Sequence, residues 1–222
     1  FPVDVAVALT GVVHLLNNFF KLFLTGKNAD RGVVLRFGIP AVIAAFFGAW
    51  LLLRISRIEP LYAYNIGQRE FSVTTLKLTI AILLAFFALM ESVPRLKKIE
   101  FGRDKMIIGG VLSGFFGGLS GHQGALRSAF LVRAGLSKKA FIATGVIIAC
   151  MIDLARLTVY FNRDIGTGIK ENMALLIVAT LAAFAGAFSG TLLLKKITFS
   201  FIQKIVTVML ILLAIALGVG LV

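Results

Sequence analysis

A short run of small and polar residues near the middle of the chain, Ser120-Gly121-His122-Gln123-Gly124, carries the densest set of groups able to hold a ligand, with Arg127 close behind. Glycine on either side lets backbone N–H groups approach an anion closely. A helix starting near Gly124 turns its positive N-terminal end toward the same point. Arg127 falls one turn into that helix, and its planar fork suits the oxygens of sulfonate, sulfite, carboxylate or phosphate. Ser120, His122 and Gln123 add further donors. In the competing reading the glycines serve close helix packing and Arg127 extends to a lipid–water interface.

Two further groupings carry polar chemistry. His14, Asn17, Asn18 and Lys21 recur at helical spacing on one stripe of an otherwise apolar segment. Such a stripe faces a cavity or forms a hydrogen-bonded seam between helices, with Lys21 extending to the surface. His14 is one of two histidines and can carry a proton near neutral pH. Asp153 and Arg156 stand at i, i+3, either as a structural ion pair or with Arg156 facing a cavity and Asp153 orienting it. The sequence has no P-loop, dinucleotide fingerprint, zinc-ligand spacing or catalytic triad. The expectation is therefore no enzyme, no metal and no cofactor, with proton coupling through His14 or His122 left open. The lone Cys150 cannot form an internal disulfide and reads as a small buried side chain.

The elements that position these groups follow from composition. The chain has 222 residues, of which 59% are apolar and 15% charged, and 22 are Gly. Its mean hydropathy is +0.98. A soluble fold of this size has no interior able to hide so much apolar surface, which excludes soluble enzymes, disordered chains and disulfide scaffolds. The fold class expected is an all-α polytopic membrane protein. Apolar stretches of spanning length cover roughly 3–24, 33–53, 73–93, 140–161, 173–194 and 199–221. Residues 106–133 differ, being Gly-rich with a polar centre. They fit one tilted helix or two half-depth helices meeting at Ser120–Gly124.

Charge chooses between these arrangements. The net charge of +13 lies in short stretches between apolar runs, pointing to membrane topology and anionic lipid rather than nucleic acid. A single crossing by 106–133 leaves Lys and Arg balanced between the two sides. A hairpin that returns to its own side gathers the basic stretches 25–32, 94–105, 133–139 and 195–196 on one face, which the positive-inside rule makes cytoplasmic. Residues 54–71, with Pro60, Tyr62 and Tyr64, read as an amphipathic interfacial connector.

The chain also resembles itself. Ala44-Ala45-Phe46-Phe47-Gly48-Ala49-Trp50 matches Ala182-Ala183-Phe184-Ala185-Gly186-Ala187-Phe188. Thr10-Gly11-Val12-Val13 matches Thr144-Gly145-Val146-Ile147, and Asn18/Lys21 matches Asp153/Arg156. The division expected is a first repeat at 1–93, a basic connector at 94–105, and a second repeat at 106–222 that includes the 106–133 hairpin. With that hairpin the two copies are inverted, an architecture common among secondary transporters. The pattern predicts an equivalent Gly-rich hairpin for the first copy, absent from this chain.

Gly114-Phe115-Phe116-Gly117-Gly118-Leu119-Ser120-Gly121, with Gly124 and the Gly135-Leu136-Ser137 turn, resembles the repeated Gly-rich motif of the sulfite exporter TauE/SafE family. Val13 to Lys21 and Phe37 to Trp50 are similar to first-half segments of a bacterial subgroup. The resemblance implies two inverted halves in a bacterial inner membrane that move sulfite, sulfoacetate or other small organic anions. The chain departs from the common motif at His122-Gln123-Gly124-Ala125 and Arg127-Ser128, where its groups are polar or cationic. The function expected is a secondary anion transporter working by alternating access, with a small anion as ligand, anionic lipid at the basic loops and a homodimer among the assemblies allowed. An anion channel, a non-transporting scaffold, and a membrane enzyme using His122 as base are the alternatives.

Overall fold

The structure is a computed structural model and describes residues 2–25, 28–93, 101–132, 134–161, 165–193 and 199–221. It is predominantly helical. Helix α1 spans Val3–Thr25, α2 Arg31–Ile55 and α3 Thr75–Ser92, with strands β1 (Tyr62–Ile66) and β2 (Arg69–Val73) between α2 and α3. Helices α4 (Met106–Ser120), α5 (Gly124–Leu131), α6 (Lys138–Phe161), α7 (Ile165–Glu171), α8 (Met173–Leu193) and α9 (Phe199–Gly218) follow.

The ends of these helices have local causes. Asp30 caps α2 by accepting from the Val33 N–H at 2.8 Å. Thr74 caps α3 by accepting from the Lys77 N–H at 3.1 Å. Helix α4 stops where Gly121 takes the left-handed conformation, φ +79°, and its N–H returns to the Gly117 carbonyl.

Among the described residues, three helices are long and apolar enough to cross a membrane: Val3–Phe23, Arg31–Ile55 and Lys138–Phe161. The other three expected spans appear as shorter apolar helices, Thr75–Met90, Met173–Ser189 and Lys204–Gly218. Large apolar side chains point outward, among them Leu35, Ile43, Phe47, Ile82, Val178 and Leu212. On α2 the inward positions are instead largely small, with Ala41, Ala45 and Ala49 fully buried. Small residues inside and large apolar ones outside is the distribution expected of helices packed in lipid.

Helix α2 packs along α4 and α6, α1 along α6 and α8, and α3 along α9. The two sequence halves are thus interleaved. One apolar cluster joins α1, α2, α3, α6 and α9 around Leu52, Leu84, Leu157 and Leu217. A second joins α2, α4, α5 and α6 around Phe37, Phe130, Ile148 and Ile152.

The contact of α2 with α4 is made backbone to backbone. Gly110, Gly114 and Gly118 form one stripe of α4, and a Cβ on any of them would run into the backbone of Phe37, Ala41 or Ala45 respectively. Gly48 of α2 meets the backbone of Phe115 and Leu119 in the same way. These glycines allow close helix packing. Helix α5 doubles back along α4: Phe130 lies against Gly109, and the Phe101 N–H, just before α4, bonds the Ala129 carbonyl at 3.2 Å.

The 54–71 stretch differs from the expected amphipathic connector. Residues 62–73 form an antiparallel ribbon in the register Tyr62↔Val73, Tyr64↔Phe71 and Ile66↔Arg69. A two-residue turn closes it, with Gly67 at φ +63°. Alternation of Tyr62, Tyr64 and Ile66 puts aromatic rings on one face, where Tyr64 stacks on Phe71. The ribbon is tied to the end of α9 by Tyr64 Oη donating to the Val219 carbonyl and by Lys77 Nζ donating to the carbonyls of Ser72 and Gly220. Of the basic positions used for topology, Lys27, Arg133, Arg163, Lys195, Lys196 and the 94–100 part of the connector lie outside the described residues.

Candidate functional site

Asp153 anchors the polar interior. It is fully buried on α6, and both carboxylate oxygens are engaged. Oδ1 accepts from Arg156 Nε at 3.0 Å and Nη2 at 2.9 Å, one turn along the same helix. Oδ2 lies 2.6 Å from His14 Nδ1 and 3.4 Å from Asn18 Nδ2 on α1. One carboxylate therefore joins α1 to α6 across 139 residues of sequence. The structural ion pair exists, and it is also part of something larger. A buried carboxylate is tolerable only with such a full set of donors.

Arg156 is 1% exposed. It reaches past Gly11 of α1, where a Cβ would sit 3.2 Å from Cζ, and comes against Gly121 at the end of α4, where a Cβ would sit 2.8 Å from Nη1. Tyr160, one turn further along α6, donates its hydroxyl to the Gly118 carbonyl at 2.6 Å. This bond fixes the end of α4 beside the arginine.

Arg127 leaves α5 and passes Gly145 of α6, whose missing Cβ would lie 3.6 Å from Nε. It stands within Coulombic reach of Asp153 and of Lys21 on α1. Its Nη1 is buried, although the residue as a whole is half-buried. Gln123, 1% exposed, tucks under Gly117, and its backbone carbonyl accepts from Ser113 Oγ at 3.3 Å.

The buried side-chain polar atoms without a protein hydrogen-bond partner, among the described residues, are Asn17 Oδ1, both amide atoms of Gln123, Arg127 Nη1 and Arg156 Nη1. All belong to positions singled out by the sequence. Buried guanidinium N–H groups left unpaired are costly unless another group meets them.

Other expected donors are already committed. Ser120 Oγ donates to the Phe116 carbonyl at 3.0 Å and lies 3.3 Å from the His122 N–H, which donates to it. His122 Nδ1 donates to the Ser120 carbonyl at 3.0 Å, and its ring stacks on Phe87. Gly124 opens α5 with nothing within 4 Å of its Cβ position, so the start of that helix is accessible.

The His14–Lys21 stripe divides. His14 and Asn18 face Asp153. His14 and Asn17 also line a cavity of about 410 Å³ between α1 and α8, with walls that include Leu9, Val13, Leu175 and Ala179. Sequence reasoning missed Gly11, Gly145 and Tyr160 as parts of the site. A signal was present for the two glycines: the repeated Thr-Gly pair marks on each copy the place where an arginine from elsewhere crosses the helix.

In a multi-pass helical membrane protein, charged groups buried among the helices mark a functional site. The family described as "Sulfite exporter TauE/SafE" matches residues 1–217, and the chain belongs to it. The chain is also similar to "Multidrug resistance protein 3" of Bacillus subtilis (strain 168), 26% identical over 201 residues. That alignment covers 85% of the chain and 38% of the longer relative. No solved structure matches the chain.

Proposed function

We propose that the chain moves small sulfur-containing or organic anions across a bacterial inner membrane as a secondary carrier. The observation that carries this reading is the set of buried, unpaired donors: Arg127 Nη1, Arg156 Nη1 and the Gln123 amide beside the Gly121–Gly124 break. Arg127 and Arg156 are two cations about the one carboxylate of Asp153, which leaves a positive excess among these groups. In a low-dielectric interior, such an excess favours an anionic ligand. The accessible start of α5 adds its helix dipole. Within this class an organosulfonate fits better than bare sulfite, because the cavity of about 410 Å³ lined by His14 and Asn17 is walled mainly by Leu, Val and Ala.

Alternating access is supported by the repeat. Gly11 admits Arg156 and Gly145 admits Arg127, so matched positions on α1 and α6 play matched roles. Gly48 on α2 is closed by α4, whereas its counterpart Gly186 on α8 has, among the described residues, nothing within 4 Å of its Cβ position. Two copies in unequal surroundings are what rocking of one repeat against the other uses.

The test is uptake of labelled sulfite and a panel of sulfonates and carboxylates into proteoliposomes. Saturable uptake, stimulated by unlabelled anion on the far side, is the expected result. Arg127→Ala raises KM by at least about 30-fold, from the roughly 2 kcal/mol or more of a buried charged contact, while the protein remains folded. Uptake without counterflow stimulation indicates a channel. Unchanged KM in Arg127→Ala removes Arg127 from the site.

A further inference from the structure

We propose that His14 and Asp153 form a proton-binding site that couples anion movement to the pH gradient; this rests on the carrier reading above. The two histidines of the chain are in different situations. His122 spends Nδ1–H on the Ser120 carbonyl, and its ring lies on Phe87. His14 Nδ1 lies 2.6 Å from Asp153 Oδ2. A carboxylate only accepts, so Nδ1 carries the hydrogen and Nε2 keeps its lone pair. The His14 side chain is 39% exposed and lines the cavity between α1 and α8, so a proton has a route to the ring.

Charge decides what that proton does. With His14 neutral, Asp153 balances Arg156 through two hydrogen bonds. A proton adds to the Nε2 lone pair, which gives up the Asn18 Nδ2 donor 3.4 Å away, and the ring becomes an imidazolium held by the same carboxylate. A further cation then shares the one carboxylate. Arg156, whose unpaired Nη1 sits against Gly121, is left less compensated and attracts an anion more strongly. By linkage, the anion in turn favours the proton. The two ligands bind together and move in the same direction.

Among the described residues, the surroundings supply no rival carboxylate. Helix α1 brings Lys21, besides the amides of Asn17 and Asn18. Helix α6 brings Cys150, Arg156 and Tyr160, and the α4–α5 tip brings His122 and Arg127. Arg36 and Arg54 of α2, and Lys170 and Glu171 of α7, are exposed. The facing wall of α8 is apolar at Leu175, Leu176 and Ala179.

The experiment uses proteoliposomes loaded with a pH-sensitive dye and clamped at zero membrane potential. The probe is methanesulfonate, the anion of a strong acid, which carries no proton itself. Labelled methanesulfonate and labelled sulfite are followed for counterflow in the same vesicles. An inward methanesulfonate gradient is expected to acidify the lumen, one proton per anion. In His14→Gln the ratio of protons to labelled anion falls more than tenfold. Counterflow without acidification in the parent protein, or an unchanged ratio in His14→Gln, overturns the proton site and leaves the carrier reading intact. Absence of counterflow for both probes overturns the carrier reading and the proton site with it.

A second measurement is independent of flux. In His122→Gln, His14 is the one imidazole left, and ¹⁵N spectra report it alone. The expected state is Nδ1–H, with an imidazolium fraction that rises on adding methanesulfonate at fixed pH and falls in Asp153→Asn. An Nε2–H tautomer, or no response to either change, overturns the proposal.

Discussion

The substitution Gly114→Ala tests the architecture that holds the site. A Cβ at Gly114 would stand 2.6 Å from the carbonyl carbon and Cα of Ala41, and closer still to its oxygen. Carbon atoms in good contact lie about 3.5 Å apart, so α2 and α4 must separate by at least about 1 Å. The obstacle is backbone, and no rotamer change relieves it. The separation also loosens the contacts at Gly110, Gly118 and Gly48. Overpacking of this kind costs about 1–3 kcal/mol, here at the upper end. The better helix propensity of Ala returns up to about 1 kcal/mol. The net loss of about 2 kcal/mol corresponds to a fall of about 4–8 °C in Tm for a chain of this size.

Gly186→Ala is the internal control. Among the described residues its Cβ meets nothing within 4 Å, so the propensity gain is unopposed and the Tm holds or rises by about 2–4 °C. Thermal scans in detergent, followed by fluorescence of Trp50, the single tryptophan, read the change from α2 itself. All scans run at one rate, since membrane proteins unfold irreversibly. Transport should suffer as well, because α4 carries Gly121 to its place beside Arg156, and displacements near 1 Å are costly at a preorganised site. Shifts of the same sign in both variants, or a Gly114→Ala Tm within about 1 °C of the parent, would refute the close-packed stripe.

Other changes separate the roles of the buried polar groups. Arg156→Ala takes both guanidinium donors from Asp153 Oδ1, leaving only His14 and Asn18 on Oδ2, and is expected to destabilise by about 3 kcal/mol, whereas Arg156→Ala with Asp153→Asn recovers most of the loss; the yield of monodisperse protein in size-exclusion chromatography measures both, and equal yields refute the pairing. Tyr160→Phe removes the hydroxyl that holds Gly118 and should cost about 1 kcal/mol, read as a Tm about 2–4 °C lower. Gly121→Ala forces a side chain into φ +79° at about 1–2 kcal/mol and presses on Arg156 Nη1. Its KM for the transported anion should therefore rise more than its Tm falls, and the opposite pattern would place Gly121 in folding alone.

What could be read from the sequence is what depends on local composition. Apolar runs of spanning length place the helices, because lipid leaves the backbone few alternatives to bonding within its own segment. The break after Ser120 was visible because glycine alone readily takes the left-handed turn at Gly121, and the buried unpaired atoms fall on residues already conspicuous as polar groups at membrane depth. The ribbon at 62–73 was missed because its alternation is short and shares its segment with charges that also suit an interfacial helix.

Tertiary structure decided the assignments that depend on contacts between distant segments. Asp153 and Arg156 look complete as an i, i+3 pair until α1 brings His14 to the other carboxylate oxygen. The glycines of α4 gain a packing role only when α2 is laid along them, and the Ser120 hydroxyl is seen on the Phe116 carbonyl only in the folded chain. Gly11 and Gly145 gain meaning only when arginines from elsewhere in the chain cross them. Periodicity reports which face of a helix is polar. Which charge comes to meet that face is set by packing between helices far apart in sequence, and one sequence read locally carries no record of it.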